Sequence, residues 1–273
     1  MGGGNSMLEE VNGLVLFQRK HRERDFLVKI FTDKYGAKMF FVRGNKRERS
    51  KFAQAIQPFS HGTYIADIRE NGLSFLRDAK DIVSYPNFHI DITLNAYGTY
   101  LLQLMDAAID DRQPEPALLD EVIKGLDAID EGKDAEIIVN LFEVKFLKAF
   151  GVMPEWRGCV ICGNIDGPFD YSSQYNGLLC QNHWANDLRR YHASPKAIHI
   201  LRLFSVLSID KIGEIKVADE TKRSMRQTLD KLYEENTGIS LKSKKFIDNM
   251  HAWNLSLIEK RKPKDADKLK TND

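Results

Sequence analysis

All three cysteines of this 273-residue chain fall in two short dyads, Cys159-x-x-Cys162 and Cys180-x-x-His183. That arrangement constrains the fold more than any other feature. Two residues between ligands let a tight turn aim both side chains at one point, and residues 163–179 are a linker of the length that lets two such knuckles converge on one metal ion. Gly163, directly after the first dyad, suits the left-handed backbone that such a turn requires. Thiolates and an imidazole match a borderline-soft cation, so the expected occupant is one zinc ion held by Cys159, Cys162, Cys180 and His183. Four protein ligands fill a tetrahedral shell and leave no position for a reacting water, which makes the expected role structural.

Clustering of the cysteines also argues for metal ligands in a reducing compartment, and against a disulfide framework. The expected location is therefore the cytoplasm. A hydrophobic content of 42% with 29% charged residues is the balance of a chain that buries a core. No apolar run approaches the roughly 20 residues that would span a bilayer, and no membrane partner is expected. Residues 1–6 read as an expression leader, and residues 260–273, rich in lysine and aspartate, as a disordered tail.

Hydrophobic periodicity divides what remains. Short alternating runs at 11–17, 25–32, 37–42, 63–69 and 73–76 read as strands, with turns at 33–36 and at Glu70-Asn71-Gly72. Five such strands fit a small closed barrel, the OB-fold, over residues 7–83. From Phe88 the period lengthens to three and four residues. Leu94, Tyr97, Leu101, Leu104 and Met105 form one stripe, Leu118 to Ile129 a second, and Ile137 to Leu147 a third that stops at Gly151. Helical periodicity returns at 195–207, 219–235 and from 240 to about 259. The expected class is thus α+β multidomain: the barrel, then a helical bundle in two parts (84–155 and 185–259) carrying a zinc-knuckle insertion at 156–184. On the last helix Phe246, Met250, Trp253 and Leu257 recur on one face, which reads as the stripe that closes the bundle core.

The net charge of +1 hides an uneven distribution. Arg19, Lys20, Arg22, Arg24 and Lys29 outnumber the acids around them, and so do Arg43, Lys46, Arg47, Arg49 and Lys51. Residues 106–131 are acidic instead. Guanidinium forks and lysine point charges on barrel loops suit phosphate oxygens. Arg19, Lys20, Arg22, Arg43, Lys46, Arg47, Arg49 and Lys51 are accordingly the candidate DNA contacts, with the 19–24 stretch expected on an inter-strand connection. Phe40, Phe41, Phe59, Tyr64 and Phe75 are available to stack bases, although alternation sends about half of them inward. His21, His61, His89, His192, His199 and His251 show no HExxH-type spacing, and GxSxG, GxxxxGK[ST] and GxGxxG are absent. No catalytic residue is assigned.

Several strings, in order, resemble the RecO family of bacterial recombination mediators over nearly the whole chain. They are Gly13-Leu14-Val15-Leu16, residues 26–32 with the turn at Gly36, Ser50-Lys51-Phe52, Ile56-Gln57-Pro58-Phe59 and Tyr97-Gly98-Thr99-Tyr100-Leu101. Phe150-Gly151-Val152-Met153-Pro154 running into Cys159-Val160-Ile161-Cys162-Gly163 is the most family-specific, and residues 238–246 resemble the low-GC Gram-positive branch. The resemblance implies an OB-fold, a helical domain and a zinc finger. It implies a non-enzymatic protein that binds single- and double-stranded DNA, anneals strands, and with RecR helps load RecA onto strands coated by single-strand binding protein. Family fingers often have four cysteines, and His183 departs from that pattern. Two other readings remain open at this point, a zinc-ribbon DNA-binding regulator and a zinc-dependent nucleic-acid hydrolase.

Overall fold

The computed structural model describes residues 7–43, 52–111, 113–213 and 216–261, the side chains of 7 and 254–261 excepted. Residues 1–6, 44–51 and 262–273 and the side chain of Leu257 lie outside the described residues. Five strands close into a barrel: β1 (Met7–His21), β2 (Asp25–Thr32), β3 (Gly36–Val42), β4 (His61–Ile68) and β5 (Ser74–Val83). Their order around the barrel is β1-β2-β3-β5-β4, and all neighbours are antiparallel except β3 and β5. β1 pairs with β4 through its first half and with β2 through its second, with an irregularity between Val15 and Phe17. It is longer than its alternating run suggests because backbone pairing continues through the polar residues on either side.

Alternation explains the two faces of this sheet. Val11, Val15, Val28, Ile30, Phe40, Val42, Tyr64 and Ala66 fill the barrel, and Phe52, Ala55 and Ile56 from the connection before β4 pack into the same core. The Tyr64 hydroxyl donates to the Ala55 carbonyl at 2.7 Å, so this buried polar tip is satisfied. Leu14, Leu16, Phe31 and Phe59 belong to a second core that continues into the helices.

The helices are α1 (Pro86–Ile90), α2 (Ile92–Ala108), α3 (Pro116–Asp130), α4 (Ala135–Phe146), α5 (Pro195–Phe204), α6 (Asp219–Asn236) and α7 (Lys242–Arg261). Asp91 caps α2 and Asp134 caps α4, each accepting from two backbone N–H groups of the first turn. A 3-10 turn (Leu147–Phe150) follows α4 and ends on Gly151. Between α4 and α5 lies a small sheet of β6 (Glu155–Cys159), β7 (Phe169–Ser172) and β8 (Gly177–Cys180), ordered β6-β8-β7. Barrel and bundle are joined by more than the chain. Lys29 on β2 bridges Asp106 and Asp111 at 2.6 and 2.7 Å, and Tyr85 donates to Asp127 of α3 while its oxygen lies 3.0 Å from His61 of β4.

One expectation fails on the last helix. Phe246 and Trp253 face outward, at 45% and 67% exposure. Met250 of that stripe does pack against the bundle core, Ile247 is turned fully inward, and Ser243, Lys244 and His251 share its side of α7 through polar contacts to α2 and α6. Polar partners, rather than the aromatic stripe, set the orientation of this helix.

Candidate metal centre and nucleic-acid interface

The two dyads meet. Cys159 is the last residue of β6 and Cys180 the last of β8, so the pairing of these strands brings one ligand of each dyad together. After Cys159 the chain turns back: the Gly163 N–H donates to the Cys159 carbonyl and the Cys159 N–H to the Asn164 carbonyl, both at 2.8 Å. Gly163 sits at φ 71°, the left-handed region where a side chain would be strained. His183 comes from the 3-10 turn Gln181–Asn186 that follows β8.

Cys162 Sγ lies 3.8 Å from Cys180 Sγ, and His183 Nδ1 lies 3.5 Å from Cys159 Sγ and 3.3 Å from Cys180 Sγ. All four donor atoms fall within 4.8 Å of one another. A tetrahedral zinc with its usual bond lengths requires edges of about 3.8 Å between sulfurs and about 3.6 Å between sulfur and nitrogen. The donor set and its spacing therefore fit zinc. Burial raises the Cys159 thiol, but backbone N–H groups of Cys180, Cys162 and Ile161 aimed at it outweigh burial and bring it down to about 6. That favours the thiolate a metal needs.

Packing holds the knuckle against the bundle. Trp156, Tyr171 and Tyr191 stack at centroid distances of 5.7 and 4.9 Å. Arg202 of α5 lies 5.1 Å over Phe169 and donates to the carbonyls of Ile165 and Arg157. Buried Asp170 pairs with Arg190 at 3.0 Å and accepts from the His192 and Ala193 backbone.

The described candidate DNA contacts, Arg19, Lys20, Arg22 and Arg43, lie at one end of the barrel. Arg19 and Lys20 lie within β1, and not on a connection, because the strand runs on to His21. Arg22 and Arg24 form the β1–β2 turn, with Arg22 at φ 56°. Val42 pairs with Phe26, so Arg43 leaves β3 beside that turn. Arg19, Lys20, Arg22, Arg24 and Arg43 are all exposed. None has a carboxylate within ion-pair distance among the described residues. Lys46, Arg47, Arg49 and Lys51 lie outside the described residues.

Register adds residues that sequence patterning undervalued. Arg19 pairs with Leu27, Leu27 with Phe41, Phe41 with Phe75 and Phe75 with Asp67, one row crossing the outer face of the barrel. Phe40, Phe59 and Tyr64 are core residues, whereas Phe41 and Phe75 are half-exposed on this row with their rings 5.7 Å apart. His21 stands 6.2 Å from Phe41, and the Arg69 guanidinium 4.6 Å above Phe75. Arg77 is also near Phe75 but is ion-paired to Asp67. Arg69 lies outside both basic runs, so charge clustering alone gave no signal for it. Chemically, the surface offers exposed cations suited to phosphates next to flat rings suited to bases.

Two family descriptions match this chain, Recombination protein O N terminal over residues 7–85 and Recombination protein O C terminal over residues 89–245. Among curated relatives, DNA repair protein RecO of Enterococcus faecalis is 50% identical over 250 residues, covering 92% of this chain and 95% of its own. The protein of the same name from Levilactobacillus brevis is 44% identical over 248 residues, covering 91% and 95%. That of Latilactobacillus sakei is 42% identical over 266 residues, covering 97% and 98%.

Proposed function

Because this chain belongs to the recombination protein O family, we propose that it is a non-enzymatic mediator of recombinational DNA repair. On this reading it binds and anneals single strands, binds duplex DNA as well, and with RecR helps load RecA onto strands coated by single-strand binding protein. Its place of work would be the bacterial cytoplasm, at the nucleoid. Support for direct DNA contact comes from one observation above all, the group of exposed cations, without a carboxylate partner among the described residues, at the hairpin end of the barrel beside the Phe41–Phe75 row. Arg19, Lys20, Arg22 and Arg43 would neutralise phosphates, and the outer-face rings would meet bases. Zinc held by Cys159, Cys162, Cys180 and His183 would fix the knuckle. Four protein donors favour that structural role over hydrolysis, which needs an open coordination position.

The test replaces Arg19, Lys20, Arg22 and Arg43 together by alanine and titrates salt while a labelled single strand is bound. These exposed residues contribute little to the fold, so the variant should keep the wild-type melting temperature. The dependence of log affinity on log salt should flatten by roughly 0.7 for each lost phosphate contact, equally for unrelated base sequences. Annealing of strands coated by single-strand binding protein, with and without RecR, should weaken in parallel. Unchanged slope and affinity would remove this surface from the proposal.

A further inference from the structure

The contacts of α7 divide its described part into two faces. Ser243 donates to Gln103 at 2.8 Å, Lys244 bridges Asp230 at 2.6 Å, Ile247 is 2% exposed, and His251 lies 2.9 Å from the Tyr97 hydroxyl. Those positions follow helical spacing and define the inner side. Lys242, Lys245, Phe246, Asn249 and Trp253 occupy the opposite side and are exposed. We propose that this outer face of α7 is a second contact for single-stranded nucleic acid, separate from the barrel; the inference rests on the DNA-binding function proposed above.

Three properties of the face support it. Phe246 and Trp253 are two turns apart, about 10.5 Å along the axis, so both rings stand on one line. Both are large aromatics with substantial exposed surface, 45% at Phe246 and 67% at Trp253, and their alignment sets them apart from singly scattered surface residues. Lys242 and Lys245 have no carboxylate within ion-pair distance among the described residues, while Asp248 is committed to Lys244 at 2.5 Å. Asn249, between the rings, offers both a donor and an acceptor to base edges. Cations, flat rings and an amide on one strip are what an unpaired strand needs: charge for its phosphates and π-faces for its bases. A duplex hides those base faces. An acidic peptide would match the lysines but brings no flat bases to lie on the two rings. The pairs Gln103–Ser243 and Tyr97–His251 show that α7 runs antiparallel to α2.

The experiment titrates the full-length protein with an oligothymidylate and follows tryptophan fluorescence and affinity. The wild type should be quenched on binding, and Trp253→Phe should lose most of that quench. Phe246→Ala combined with Trp253→Ala should weaken binding roughly ten-fold at an unchanged melting temperature, and should leave duplex affinity within about two-fold. Lys242→Ala with Lys245→Ala should flatten the salt slope by roughly 0.7 per lysine. If the α7 variants bind as wild type while the four-residue barrel variant does not, this inference falls and the proposed DNA-binding function stands. If the wild type itself does not bind the oligonucleotide, both fall. Equal losses for single strand and duplex would overturn the single-strand assignment. Loss of a polyglutamate peptide with oligonucleotide binding intact would give the face to an acidic protein segment instead.

Discussion

At the scale of single residues, the metal centre makes the sharpest demands. Protein purified without chelator should carry about one zinc per chain. Cys159→Ser or Cys180→Ser should release it and open residues 156–184 to protease, because the sheet end they secure loses its cross-link. His183→Cys should retain the metal and His183→Ala should bind it less tightly; equal zinc content in both would mean that another group supplies the fourth donor. Glu143 makes a different demand. Complete burial raises its carboxyl to about 7, despite hydrogen bonds from Tyr100 at 2.6 Å and Asn140 at 2.9 Å that favour the charged form. A carboxyl raised on folding stabilises the protein below its unfolded pKa near 4.5, and that contribution is lost as pH rises through 7. Glu143→Gln should therefore raise the melting temperature at pH 8 and flatten its decline between pH 5 and 8, by at most about 3 kcal/mol. The Asn140 carbonyl oxygen, without a partner among the described residues, can accept from the new amide after a flip. Melting curves that show the same pH dependence in both proteins would refute this. The convergence of the four donors Cys159, Cys162, Cys180 and His183 was legible in the sequence because two-residue spacings are local. Glu143 was not, because its burial depends on Tyr100 and Tyr233 arriving from other helices.

Among the elements, strand cores and helix stripes were easier to read than their edges and orientations. The β2 run at 25–32 matches the observed strand, a short apolar run buried on both faces, with Val28 and Ile30 in the barrel and Phe31 toward the helices. Which of the neighbours Phe40 and Phe41 faces outward could not be settled by alternation alone, since it depends on register with β2 and β5. The stripe on α7 misled for a related reason: its inner face is chosen by Gln103, Asp230 and Tyr97, none of which belongs to that helix. Docking of α1 on α2 shows how tightly two elements fit. A side chain at Gly98 would begin 2.4 Å from the Phe88 ring, which is itself backed by Phe59 at a centroid distance of 4.9 Å. Gly98→Val should thus cost roughly 1–3 kcal/mol through overpacking. Denaturant melts of the variant should show a lower midpoint with unchanged slope; an unshifted midpoint would mean that α1 swings away freely.

For the molecule as a whole, the five-stranded barrel followed by helices was legible from the change of period near Phe88, but their shared core was not. Leu14, Leu16, Phe31 and Phe59 are spent on the helices, not on the barrel's own interior. An isolated fragment of residues 7–85 would present those four side chains to water. It should scatter light and aggregate at concentrations where the full chain stays clear, and the full chain should melt barrel and bundle in one transition. A clear, monomeric fragment would contradict this account of the core.

The fifteen-residue strand β1 carries a mechanical consequence. It is laddered to β4 along its first half and to β2 along its second, and it ends at the cationic hairpin. A pull on a strand gripped at that hairpin runs along β1, across rather than in line with its hydrogen bonds. The bonds are then loaded together, in shear, instead of peeling one at a time from an end. Tension along β1 is thus shared by its ladders to β2 and β4 before any one bond must break.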